Sequence, residues 1–144
     1  MQDYLFVGNS SGIIRVFDFK NQKEMKPLMD EANIGVNKVT CLDISEDGGF
    51  LISGYKKGQV GLWDLINYKL LRFISDIHTS EVVNAKIYHM DENENLYAVS
   101  SEDSGKVQIL RFNKKTLLGG YSSEAQFLFK LRLKGTATIA VSRK

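Results

Sequence analysis

Apolar and polar side chains alternate along three stretches of this chain, and the stretches match one another. Gly12-Ile13-Ile14-Arg15-Val16-Phe17-Asp18-Phe19, Gly58-Gln59-Val60-Gly61-Leu62-Trp63-Asp64-Leu65 and Gly105-Lys106-Val107-Gln108-Ile109-Leu110-Arg111-Phe112 share one pattern. Apolar residues fall at Ile14, Val60 and Val107, then at Val16, Leu62 and Ile109. Period-two alternation of β-forming residues predicts a half-buried strand in each. A second apolar run lies upstream of every one: Leu5-Phe6-Val7-Gly8, Leu51-Ile52-Ser53-Gly54 and Tyr97-Ala98-Val99-Ser100-Ser101. Each unit therefore reads as a β-hairpin. The connections Ser10-Ser11-Gly12, Lys56-Lys57-Gly58 and Asp103-Ser104-Gly105 all end in glycine, which tolerates the positive φ of tight hairpin turns.

Further strands are predicted on both sides of the hairpins. Val39-Thr40-Cys41-Leu42-Asp43-Ile44 runs into the turn residues Ser45 to Gly49, and Val82 to Tyr88 runs into Asp91-Glu92-Asn93-Glu94-Asn95. Lys69 to Ile74 follows the second hairpin, and Phe127 to Leu133 follows the third beyond Gly119-Gly120. Nothing in the pattern favours a helix, and Pro27 sits in a polar connection to which no element is assigned.

Gly12, Gly58 and Gly105 recur at intervals of roughly 46 residues, close to the length of one β-propeller blade. Four antiparallel strands repeated in sequence suit radial blades, whose sheets cover one another's faces. Trp63-Asp64 at the end of a predicted third strand is the WD dipeptide; Phe17-Asp18 holds that place in the first unit and Leu110-Arg111 in the third. The expected fold is all-β, a partial WD40-type β-propeller of about three four-stranded blades that do not close. Within one domain spanning 1–144, the expected divisions are a partial blade at 1–30 that begins at its second strand, blades at 37–75 and 80–134, and the start of another at 136–144. Ala137-Thr138-Ile139-Ala140-Val141 resembles the innermost strand of that following blade. Propellers close with about four to eight blades, so a longer polypeptide is expected, and the open ends should make this piece poorly soluble or prone to associate.

Composition narrows the function. With 19 basic and 17 acidic residues dispersed along the chain, the net charge of +2 makes no basic face for nucleic acid or anionic lipid. Cys41 has no partner for an internal disulfide and lies in an apolar run, as a buried structural thiol in a reducing compartment would. No window approaches the ~20 apolar residues that span a bilayer, and the start of the chain does not have the form of a secretion signal.

From Val39 to Lys144 the chain also resembles the N-terminal propeller of the vacuolar protein sorting 8 family. The resemblance is carried by Gly58 to Leu65, then Lys69-Leu70-Leu71-Arg72 and Ile77-His78, and by Asp103-Ser104-Gly105-Lys106-Val107. Asn67-Tyr68-Lys69 stands in place of a glycine-containing turn, and Asp76-Ile77-His78 in place of the family's Asp-Ala-His. The resemblance implies a non-enzymatic scaffold in the CORVET endosomal tether, with other tethering subunits and a Rab5-type GTPase as partners. It also implies a cytoplasmic location, peripheral on endosomal membranes, with indirect membrane association.

The residues themselves point to structural roles. Gly12, Phe17, Asp18, Gly58, Trp63, Asp64 and Gly105 form the blade signature, with Trp63 and Asp64 packing and hydrogen-bonding inside a blade. His78 precedes an inner strand, as the histidine of WD repeats does. Ser11, Lys57 and Ser104 stand before the turn glycines where an aspartate partner would be, so that network is expected to be degenerate. His89 lies at a strand end with no positioned nucleophile. The histidines and Cys41 lack zinc-ligand spacing, Asp91-Glu92-Asn93-Glu94 lacks the EF-hand glycine, and no glycine pair makes a phosphate loop. No catalytic residue, metal or cofactor is predicted, and partner-binding residues are not assigned. Lys56-Lys57 and Lys114-Lys115 read as exposed solubilising loops. Two other functions share the fold: an adaptor in an unrelated assembly, and a propeller enzyme using the central channel.

Overall fold

The computed structural model describes residues 3–30, 37–115, 121–122, 129–132, 134–135, 137 and 139–142, with residues 129–132 described as backbone. Every named element among them is a strand, arranged in three antiparallel sheets. The first sheet has the order β1-β2-β3, formed by Tyr4–Gly8, Ile14–Asp18 and Lys23–Glu24. The second follows the chain as β4-β5-β6-β7, formed by Val39–Ile44, Phe50–Tyr55, Val60–Asp64 and Lys69–Ile74. The third contains β8 (Val82–Met90), β9 (Leu96–Glu102), β10 (Lys106–Phe112) and β11 (Phe129–Arg132), again with sequence neighbours paired. Each sheet is a meander, and the sheets do not close into a ring.

The three hairpins keep one register. Gly8 pairs with Ile14, Gly54 with Val60 and Ser101 with Val107. Gly12, Gly58 and Gly105 turn the chain with φ of 82°, 89° and 91°. Pro27 lies between two residues that bond to β2: Met25 N donates to Val16 O at 2.8 Å, and Leu28 forms a bridge with Ile14. An irregular outer strand is where a residue without an N–H is tolerated.

Two cores lie between consecutive sheets. Ile14 and Val16 share one with Leu51 and Trp63; Ile52, Val60 and Leu62 share the other with Ile87, Ala98 and Leu110. The second sheet is thus covered on both faces, and β5 and β6 are buried at almost every position. This corrects the half-buried expectation for Val60 and Leu62, whose strand is flanked by a neighbour on each side. In β10 the buried positions are Gln108, Leu110 and Phe112, whereas Val107 and Ile109 are only half-buried on the face turned from the second sheet. At the other end of the stack Leu5 and Val7 are exposed on the outer face of β1.

The sheets are joined by specific bonds as well as by packing. Val39 N donates to Asn9 O at 3.0 Å, Ile87 N donates to the Asp43 carboxylate at 3.0 Å, and Thr40 Oγ1 donates to Val82 O at 2.5 Å. Beyond β11, residues 139–142 are in no strand, so the described part of the predicted inner strand at Ala137 to Val141 is not strand. Ala137 is nonetheless buried, and its carbonyl accepts from Asn84 Nδ2 at 2.8 Å, which places it beside β8.

Candidate functional site

Buried polar side chains form two networks at matching places in the second and third sheets. Ser53 and Ser100 occupy the same register, each one residue before the position paired with Val60 or Val107. In the second sheet Trp63 Nε1 donates to Ser53 Oγ at 2.9 Å, and Tyr55 Oη lies 3.1 Å from that hydroxyl. Gly61 is held small here, because a Cβ would come within 2.8 Å of Ser53 Oγ. Burial raises Tyr55 above the usual phenol range, so it stays protonated.

In the third sheet the partner of the serine is histidine. His78 Nε2 lies 2.7 Å from Ser100 Oγ, and His78 Nδ1 lies 3.2 Å from Glu102 Oε2, with both ionisable side chains sealed from solvent. Thr79 N donates to the same carboxylate at 2.9 Å, and Ser104 Oγ donates to its other oxygen. Burial pushes the His78 imidazole down to about 4, outweighing the opposing pull of Glu102. Burial alone would raise Glu102, but bonds from Ser104 and Thr79 and the nearby Lys106 hold it below the usual range. Neutral imidazole beside ionised carboxylate fixes the tautomer: Nδ1–H donates to Glu102, and Ser100 donates to Nε2.

The histidine network is incomplete in each sheet, but the acid expected to be missing beside His78 is present. That acid is Glu102, three residues before Gly105, with Ser104 bonded to it and not replacing it. A longer side chain set further back along β9 reaches the same histidine. Position 110, which matches Trp63, is Leu110. The second sheet thus keeps the tryptophan–serine half of one network and the third keeps the serine–histidine–acid half.

The signature aspartates hold turns. Asp64 accepts from Ile66 N at 2.8 Å, Asn67 N at 3.0 Å and Asn67 Nδ2 at 2.7 Å. Asp18 does the same for Asn21, through its N at 2.9 Å and Nδ2 at 2.7 Å. These bonds, the Asn21 backbone first, hold Asp18 below the usual carboxylate range. Burial would raise Asp64, and its Asn67 and Ile66 donors more than offset that. Phe17 lies in β2, where the Arg15 guanidinium sits 5.1 Å from its ring centroid.

Other candidates resolve simply. Asp91 accepts from Asn93 N, Asn95 N, Asn95 Nδ2 and Tyr97 Oη, so its carboxylate organises the β8–β9 turn. Among the described residues no group of three or more His, Cys, Asp or Glu could hold a metal ion. His89 packs on Tyr97, ring centroids 5.5 Å apart. Lys114 pairs with Glu94, while Lys56 and Lys57 are exposed. Burial pushes the Cys41 thiol up to about 11, which keeps it a protonated packing residue. No helix among the described residues is long and apolar enough to cross a membrane.

Four-stranded meanders stacked face to face, with glycine hairpins in one register and a tryptophan–serine pair inside a sheet, define a WD-repeat β-propeller. The β-propeller domain of Cps50 (Swd1) from Myceliophteria thermophila superposes with a TM-score of 0.61 at 18% identity, over 83% of this chain and 35% of that one. The chain belongs to the Vps8 β-propeller family, whose model matches residues 1–139. The vacuolar protein sorting-associated protein 8 homologs of Homo sapiens and Mus musculus are 29% and 31% identical over 125 residues. That alignment takes in 85% of this chain and 8% of each homolog, so the chain spans less than a tenth of their length. WD repeat-containing protein 18 of Bos taurus is 32% identical over 82 residues, 51% of this chain and 19% of that protein.

Proposed function

We propose that this chain is a non-enzymatic interaction scaffold in endosomal vesicle tethering and endosome-to-vacuole or lysosome transport, acting as part of a CORVET-like complex. The family match across residues 1–139 carries the reading. The sealed His78–Glu102 pair supports the non-catalytic part, because an acid–base pair used on a substrate needs access to it. In this reading residues 37–75 and 80–134 are blades of a longer polypeptide, flanked by a partial blade at 1–30 and the start of another at 136–144. The signature residues Gly12, Phe17, Asp18, Gly58, Trp63, Asp64 and Gly105 hold those blades in shape. Partners are other tethering subunits and a Rab5-type GTPase, and the protein reaches the cytoplasmic face of endosomes through them.

The longer polypeptide and a version lacking residues 1–144 are to be compared for binding to a Rab5-type GTPase loaded with GTP or GDP. GTP-selective binding that the deletion weakens about tenfold supports the reading. Equal binding by both places GTPase recognition outside the segment, and no binding by the folded polypeptide favours a WD-repeat adaptor of another assembly. That second reading draws on the similarity to WD repeat-containing protein 18.

A further inference from the structure

The second and third sheets each begin with an inner strand: β4 pairs with β5, and β8 with β9, both antiparallel. β1 holds the place of β5 and β9 in its own hairpin, yet among the described residues it pairs only with β2. Its other edge presents a row of backbone donors and acceptors, a template on which a further strand can be laid. Beside that edge runs a depression of about 340 Å³, lined by Phe6 of β1 and by Leu42, Ile44 and Leu51 of the second sheet. A smaller one of about 230 Å³ shares Leu42 with it and reaches Gly8, Val39 and Cys41.

Past the third sheet lies the counterpart, a segment in the place of an inner strand. The carbonyl of Ala137 accepts from Asn84 Nδ2 of β8 at 2.8 Å. The carbonyl of Val82, the first residue of β8, is engaged from β4 in the same way, by Thr40 Oγ1 at 2.5 Å and by Cys41 Sγ at 3.9 Å. Cys41 and Asn84 correspond, each lying just beyond a register shift and opposite Gly54 or Ser101. Ala137 therefore stands to β8 as Val82 stands to β4. Residues 139–142 follow it in no strand, with Ala140 exposed.

We propose that the segment from Ala137 to Ser142 of one copy of this chain pairs antiparallel with the free edge of β1 in a second copy, making its first sheet four-stranded. Counting from Ala137 as from Val39, Ala140 falls opposite Val7 as Leu42 falls opposite Ser53. Ile139 then meets Gly8 and Val141 meets Phe6, as Cys41 meets Gly54 and Asp43 meets Ile52. Both aliphatic side chains enter the depressions beside β4. Backbone pairing supplies the affinity of such an added strand, and pockets for alternate side chains supply its specificity. A second copy is the occupant because one chain carries both the open edge and a segment long enough to span the five residues of β1. The contact is heterologous, one copy giving the strand and the other the edge, so copies join head to tail. It is read from strand geometry alone and stands apart from the tethering role.

The test mixes two variants of the full chain in a Cys41→Ser background, one carrying V7C and the other A140C, under mild oxidation. An intermolecular disulfide is expected in the mixture and with neither variant alone. Leu5→Cys in place of V7C lies two residues out of register and is expected to cross-link at least about tenfold less, since a buried face fixes register. The double substitution A140P/V141P removes two adjacent N–H groups, one of which must face β1. These residues lie in no strand of the separate chain, so its unfolding midpoint holds while the rise of mass with concentration in light scattering is lost. Absence of the V7C–A140C cross-link, equal cross-linking by L5C or by V7C alone, or undiminished association of the proline variant overturns the proposal.

Discussion

Gly54 is where a single methyl group matters most. A Cβ there would lie 2.5 Å from Cys41 Sγ and 2.6 Å from Val82 Cγ1, between the second and third sheets. Gly54→Ala is expected to cost about 1–3 kcal/mol, the usual penalty of overpacking, read as a lower denaturant midpoint. Cys41→Ser in the same background relieves less than half of this, because Val82 still blocks the space. His78 gives the protein a pH dependence with a definite sign. Its folded-state value of about 4 lies below the free imidazole, so its contribution is complete above about pH 6.5 and is lost as pH falls towards 4. Between pH 7 and pH 5 stability should fall by about 2 kcal/mol, and H78Q should flatten that slope in thermal melts. Trp63 and the turn glycines were legible residue by residue, since a dipeptide at a strand end and a glycine before each strand carry their own physical reasons. Glu102 was not, because a partner defined by reach in space need not sit at a fixed offset from the turn.

At the scale of elements, the Asp–Asn turns show how little sequence a strand connection needs. Asp18 and Asn21 repeat as Asp64 and Asn67, with the same donors on the same oxygens. Asp64→Ala is expected to cost about 1–2 kcal/mol, since several hydrogen bonds to one charged group are lost together. Asp64→Asn should recover part of it, and chemical denaturation of the three proteins side by side measures both. The alternation of Ile14 with Val16, and of Val60 with Leu62, correctly located strands and hairpins. It could not tell whether the polar-looking alternate positions met water or another sheet. Ser53, Gly61 and Gln108 are polar or small and fully buried, because small and hydrogen-bonded side chains let neighbouring sheets approach. The same ambiguity made Val107 and Ile109 look equivalent to Val60 and Leu62, although they lie on the outward face of the last sheet.

At the scale of the whole molecule, the first sheet leaves apolar surface open among the described residues. Leu5 is 50% exposed and Phe19 is 72% exposed beside one end, with β1 as a sheet edge. Apolar surface beside a bare edge promotes association. Light scattering of the isolated chain is expected to show mass rising with concentration, and the double substitution L5K and F19K is expected to suppress the rise. A concentration-independent monomer for the unmodified chain would count against this. The meander order inside each sheet also bears on how the protein comes into being. Every strand pair of the second sheet joins neighbours in sequence, from Val39 to Ile74. A ribosome delivers such a stretch in about 2–7 s at ordinary synthesis speeds. That sheet can therefore assemble while the remainder is still being translated, and each later one finds a finished template waiting at the tunnel exit.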